Sequence, residues 1–222
     1  MDAQKLNELL QEAVNDADLT SSEIPSIDLY LEQILLLVAD KNKEGSDLAD
    51  RTLTKNMINN YSKDGLIMPV KGKKYTKEQI VQMLVVYSLK NTLSIEEIKR
   101  AMEAIYAKED YSGAKLISAY DQAMAIKQAQ KHRCPEIVQE ILVSEQLDPE
   151  DGENYFVALL AVASLSVYFR NMAKAMLEEY PLPPSEEERK AREKEEKKER
   201  KAKKKAEAAA AAAAGQATEE SE

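Results

Sequence analysis

The chain has 222 residues, 44 % hydrophobic and 32 % charged, with a formal net charge of −9; it is long enough to bury a core without disulfides or metals. Six glycines and seven prolines are too few for the many turns of an all-β fold. One cysteine, Cys134, and one histidine, His132, exclude an internal disulfide and a four-ligand zinc site of Cys and His alone, and this cysteine usage fits a reducing, cytoplasmic setting.

The opening MDAQKLNELLQEAVNDAD is acidic and amphipathic, with no basic segment leading into an apolar run, so no secretory signal is expected. Leu6, Leu9, Leu10, Ala13 and Val14 recur at helical spacing and predict a helix over about residues 3–16. After the polar SSEIPS, the spacing of Leu29, Ile34, Leu35, Leu37 and Val38 predicts a second helix over 27–43, ended near Gly45. Thr54 has the place of an N-cap for a helix over 55–63, and Gly65 that of its C-terminal glycine. Met57, Ile58 and Tyr61 form its inward set, leaving Lys55, Asn56, Asn59, Asn60 and Lys63 on the other faces.

Pro69 to Tyr75 (PVKGKKY) reads as a tight turn or minimal β-hairpin with Gly72 at its centre. Thr76 with Gln79, and Ser94 with Glu97, are capping boxes that open helices over 77–91 and 95–107. The first is apolar nearly all round and therefore central; the second carries one stripe of Ile95, Ile98, Met102 and Ile105. Helical patterns continue over 114–132, 135–143 and 154–179, with DPEDGEN as a connecting turn. The most apolar run, Tyr155 to Phe169, stops at Arg170, short of the ~20 residues that span a bilayer; it is expected to be a buried core helix rather than a membrane segment, with close packing against a partner as the alternative. Residues 185–222 are Glu, Lys and Arg followed by an alanine run, a low-complexity tail able to form a solvated helix.

The charge is segregated. Residues 1–50 carry −9, 51–77 carry +6, 78–184 carry −6, and the tail is neutral. One cationic island in an anionic protein is what a local phosphate-binding surface needs; a solvated, lysine-rich loop is the alternative that composition leaves open.

In order, Thr54, Tyr61, Gly65-Leu66-Ile67, Pro69, Lys71 to Lys74 and Tyr75, then the helices opened by Thr76 and by Ser94-Ile95-Glu96-Glu97-Ile98, resemble the winged helix-turn-helix of MerR-type transcriptional regulators. The wider stretch from Ile24 to Met102 is similar to an uncharacterised bacterial family known only as domain of unknown function 1836, a likeness that supplies no activity. Asn59 and Asn60 stand where MerR-type members usually carry arginine and a second tyrosine, the wing is shorter, and no long heptad run follows the domain.

Spacing, composition and the resemblance together give a mainly α protein in four parts: an N-terminal helix (1–22), a domain (23–108) that the resemblance makes MerR-like with a minimal β-hairpin wing, an all-α region (109–184) and the tail (185–222). The resemblance implies a sequence-specific regulator that reads double-stranded DNA with a recognition helix (54–64) and a basic wing (70–75). Asparagine can pair with adenine in the major groove and lysine can contact phosphate or guanine. The expected contact set is therefore Thr54, Lys55, Asn56, Asn59, Asn60, Tyr61, Lys63, Lys71, Lys73, Lys74 and Tyr75, the two tyrosines through their hydroxyls. A homodimer through the C-terminal helices would match two half-sites. The other reading is a non-enzymatic module that binds an acidic protein or RNA through the same surface. No cofactor is expected: His132 and Cys134 lack a nearby carboxylate motif, and there is no Gly-rich phosphate loop or HExxH.

Overall fold

The computed structural model describes residues 2–46, 52–180 and 194–195. Helix α1 spans Ala3–Val14 and is capped by Asp2, whose carboxylate accepts from the Lys5 N–H at 2.7 Å. A 3₁₀ turn at Ser21–Glu23 leads to strand β1, Leu29–Tyr30, and directly into α2, Leu31–Asn42. Next come α3 (Lys55–Lys63), strand β2 (Lys74–Tyr75), α4 (Lys77–Leu89) and α5 (Ile95–Tyr106), followed by the long helices α6 (Gly113–Ser144) and α7 (Gly152–Glu178). The described part is thus mainly helical with one small two-stranded sheet.

The core is built around α4. Ile80, Val81, Met83, Leu84 and Val86 are buried, as an almost uniformly apolar helix requires. Against them pack Ile34 and Val38 of α2, Ile58 and Tyr61 of α3, Ile98 and Met102 of α5, and Leu116 and Tyr120 of α6. The first turns of α6 therefore belong to the same core, which runs through position 108. Both capping boxes form: Thr76 exchanges hydrogen bonds with Gln79, and Ser94 with Glu97.

The segment between α1 and β1 is stitched to α6. The Tyr120 hydroxyl donates to the Leu19 carbonyl at 2.6 Å, Ser21 Oγ donates to Asp121 at 2.6 Å, and Lys127 and Lys131 pair with Asp16. Glu23, at the end of the 3₁₀ turn, accepts from Lys41 at 2.8 Å. Burial opposes ionisation of Glu23, but the bonds from Lys41 and from the Thr20 backbone and hydroxyl outweigh it and lower its carboxyl to about 2. Helix α1 lies on the last turns of α6, where Gln139 bonds Asn7 at 2.7 Å beside a groove of about 470 Å³ lined by Leu6, Leu10, Leu142 and Leu147.

Several expectations are corrected. The helix expected from residue 27 starts at Leu31, because Leu29 and Tyr30 are extended and pair antiparallel with Tyr75 and Lys74. For the same reason PVKGKKY is no self-contained hairpin: β2 finds its partner some 45 residues upstream. The breaks expected around Pro135 are absent; α6 is continuous, with the Pro135 ring buried inside it at the loss of one ladder bond. The apolar run expected in the core lies on α7, where only Ala158 and Leu177 are buried and nine large apolar side chains are exposed. Its helix, 27 residues long with an 18-residue stretch of mean hydropathy 1.5, is long and apolar enough to cross a membrane by length and composition. Contacts divide the chain into units 1–181 and 182–222; of the second only Lys194 and Glu195 are described, both helical, so the expectation for the tail otherwise lies outside the described residues.

Candidate nucleic-acid interface

Helix α3 is short and polar, and it is held at both ends. At its start the Thr54 Oγ1 accepts from the Met57 N–H at 3.3 Å. At its end the Leu66 N–H donates to the Tyr61 carbonyl at 2.9 Å across Gly65, whose φ of +74° is a left-handed conformation that only glycine adopts cheaply. Ile58 is fully buried and Tyr61 is 4 % exposed, so the inward set sits as its spacing predicts. Lys55, Asn56, Asn59, Asn60 and Lys63 are all exposed. The outer face of α3 is therefore amide and ammonium, with Lys55 also 3.9 Å from the Glu32 carboxylate at the start of α2.

Leu66 and Ile67 then dive into the core and anchor the entry to the basic turn. Three side chains grip it there. The Met68 N–H donates to Gln82 Oε1 at 2.9 Å, Gln79 Nε2 donates to the Met68 and Pro69 carbonyls at 3.2 and 3.0 Å, and the Tyr106 hydroxyl donates to the Leu66 carbonyl at 3.0 Å. Gln82 is wholly buried, and its amide also faces Glu78 and the Tyr111 hydroxyl. Burial pushes the Tyr111 phenol up to about 12, and its hydrogen bond to Glu78 adds to the shift. Both phenols are thus neutral donors at physiological pH; burial also raises Tyr106.

Beyond this grip the chain turns at Gly72, with φ of +85°, and returns as β2. Lys71, Lys73 and Lys74 are exposed around the turn, and Lys74 Nζ sits 5.0 Å above the Tyr30 ring centroid, a cation–π contact that orients the lysine. Tyr75 is half-buried. Between α3 and the turn runs an open groove of about 450 Å³, bordered by Asn59, Ser62, Met68, Val70, Tyr75 and Tyr106.

Ten of the eleven expected contact residues thus reach the surface at least in part. The exception is Tyr61, whose ring packs in the core with only 4 % of the residue exposed, and burial raises its phenol pKa. Sequence reading missed Gln82, Tyr106 and Tyr30, and saw Gln79 only as a cap. The available signal was two glutamines inside an otherwise apolar helix, since a buried amide needs partners. His132 and Cys134 are exposed on α6, and the acidic DPEDGEN turn caps α7 through Asp151, which accepts from the Glu153 and Asn154 N–H groups at 2.9 Å.

The architecture at this site is a short capped helix followed by a lysine-bearing turn, both seated on a helical core. Residues 19–123 match the model of the family described as Domain of unknown function (DUF1836), and over that stretch the chain is similar to this family. No curated protein and no solved structure matches the chain.

Proposed function

We propose that this chain is a sequence-specific DNA-binding regulator of transcription, with α3 as the element that enters the major groove and the turn at Lys71–Lys74 as a MerR-like wing on the flanking backbone. One observation carries the reading: three asparagines and two lysines are exposed on one nine-residue helix beside three exposed lysines of the adjoining turn, in a chain of net charge −9. Asn56, Asn59 and Asn60 would read adenine edges, while Lys55, Lys63 and the wing lysines would neutralise phosphates. Thr54, at the helix start, can donate its hydroxyl proton to a phosphate while its oxygen serves the cap. Tyr75 would approach the backbone from the base of the wing. The Gln79, Gln82 and Tyr106 grip would matter as well, because a wing placed wrongly by an ångström loses its contacts.

The test is recovery of bound fragments from sheared genomic duplex at moderate salt, with a Lys71→Glu, Lys73→Glu, Lys74→Glu variant run beside the wild type. A recurrent site recovered by the wild type and lost in the variant supports the proposal. Background recovery by both overturns it and favours a protein or RNA partner.

A further inference from the structure

Beneath the basic turn, Gln82 sits between groups that call for opposite ends of its amide. On one side the Met68 N–H, at the entry to the turn, donates to Gln82 Oε1 at 2.9 Å. On the other, Gln82 Nε2 stands 3.4 Å from both the Glu78 carboxylate and the Tyr111 hydroxyl. The residue is wholly buried, so an amide turned the wrong way has no solvent to bond instead.

The Tyr111 hydroxyl decides which end it meets, because a phenol has one proton to donate and lone pairs to accept with. Here the proton goes to Glu78 Oε1 at 2.5 Å, which leaves a lone pair toward Gln82. Glu78 is half-buried and closed in from behind: a methyl group at Gly113, the first residue of α6, would overlap its carboxylate. Tyr111 is held too, its ring edge-on to that of Tyr106 at 5.4 Å between centroids and its N–H bonded to the Lys108 carbonyl at 3.0 Å. Burial and the contact with Glu78 raise the phenol pKa, so the hydroxyl keeps its proton at physiological pH.

We propose that Glu78 is a positioning residue for the basic turn: by accepting the Tyr111 proton it fixes the Gln82 amide with its oxygen toward Met68. The 3.4 Å contacts act less through their own strength than through the arrangement they exclude. With the amide reversed, its oxygen would face a carboxylate oxygen and its NH2 group would face the Met68 N–H, two repulsions in a buried site. Removing the Glu78 carboxylate inverts the preference. The Tyr111 proton is then best placed on Gln82 Oε1, the amide turns over to receive it, and the Met68 N–H is left facing a donor. The turn that bears Lys71, Lys73 and Lys74 loses a clamp although none of its own residues has changed. Only the consequence for duplex affinity rests on the DNA-binding reading.

Amide hydrogen exchange of the full chain without DNA, resolved by residue with NMR, tests the proposal. Met68 should exchange about tenfold faster in Glu78→Ala than in the wild type, the factor for one hydrogen bond of ordinary net strength. Amides within α4 and α5, such as those of Val86 and Met102, should keep their rates. Adding Tyr111→Phe removes the competing donor, so the Glu78→Ala, Tyr111→Phe double variant should bring Met68 back to within about threefold of the wild type. A role for Glu78 in general stability alone predicts the reverse, because the second truncation would add to the first. An unchanged Met68 rate in Glu78→Ala, an increase shared equally by α4 and α5, or a double variant no slower than the single one overturns the proposal. Duplex affinity, measured separately, should fall in the single variant and recover in the double one. A wild type that binds no duplex would overturn the DNA-binding reading, while the exchange rates still decide the role of Glu78.

Discussion

Replacing Gln82 with leucine isolates the contact that joins the core to the basic turn. The side chain is fully buried, and its carbonyl oxygen is the acceptor for the Met68 N–H at 2.9 Å. Leucine is close in size, so the cavity cost is small, but the Met68 N–H would be left buried without that acceptor. An orphaned donor costs roughly 1–3 kcal/mol; the bonds to Glu78 and Tyr111, long at 3.4 Å, add little. The expected loss is about 2 kcal/mol in urea unfolding, or roughly 4–8 °C in Tm for a domain of this size. On the DNA-binding reading, affinity should fall as well, because the entry to the wing loses one of its three clamps. A loss below about 0.5 kcal/mol would refute the reasoning by showing that Met68 is satisfied some other way.

Three further outcomes are expected. Ile58→Ala, at a fully buried site on the inner face of α3, should cost about 2–5 kcal/mol in chemical denaturation. Gly65→Ala meets no atom within 4 Å, so its cost should be the backbone term alone, roughly 1–2 kcal/mol for a left-handed residue; a neutral outcome by the same assay would mean that the turn relaxes. Glu23→Gln should be less stable than the wild type at pH 7. Because the folded-state carboxyl of Glu23 is lowered to about 2 from 4.5, its contribution is present above pH 4.5 and disappears as the pH falls toward 2. The two unfolding curves should therefore converge across that window, and a gap independent of pH would refute the assigned role of Lys41.

Much of the fold was legible from local chemistry. Apolar spacing and caps located α1, α3, α4 and α5 within a residue or two, since Thr54, Thr76 and Ser94 bond the very N–H groups their positions predict. What failed depends on distant partners. Two-residue strands such as Leu29–Tyr30 and Lys74–Tyr75 carry no period of their own and exist only because they pair. Pro135 signals a break, yet tertiary packing overrides that local preference and keeps α6 whole. The apolar run of α7 indicates a buried helix but cannot say whether its cover comes from the same chain, and in this chain most of that face is open. At the site, the exposed amides and lysines of α3 were readable from helical phase. The same phase also places Tyr61 inside, which is where its ring lies. The grip on the turn by Gln79, Gln82 and Tyr106 was not readable, because it joins residues 10 to 40 positions apart.

On the proposed function, α3 and its adjoining turn read a DNA sequence. That reading is tested most directly by the ratio of affinities for the recovered site and for a scrambled duplex of equal length, measured by fluorescence anisotropy across a salt series. The expected ratio is about 10³ or more at physiological salt, with affinity falling steeply as salt rises. Asn56→Ala with Asn59→Ala should shrink the ratio, whereas the wing triple variant should flatten the salt slope by about three. A ratio near one for the wild type, at every salt concentration, would contradict it.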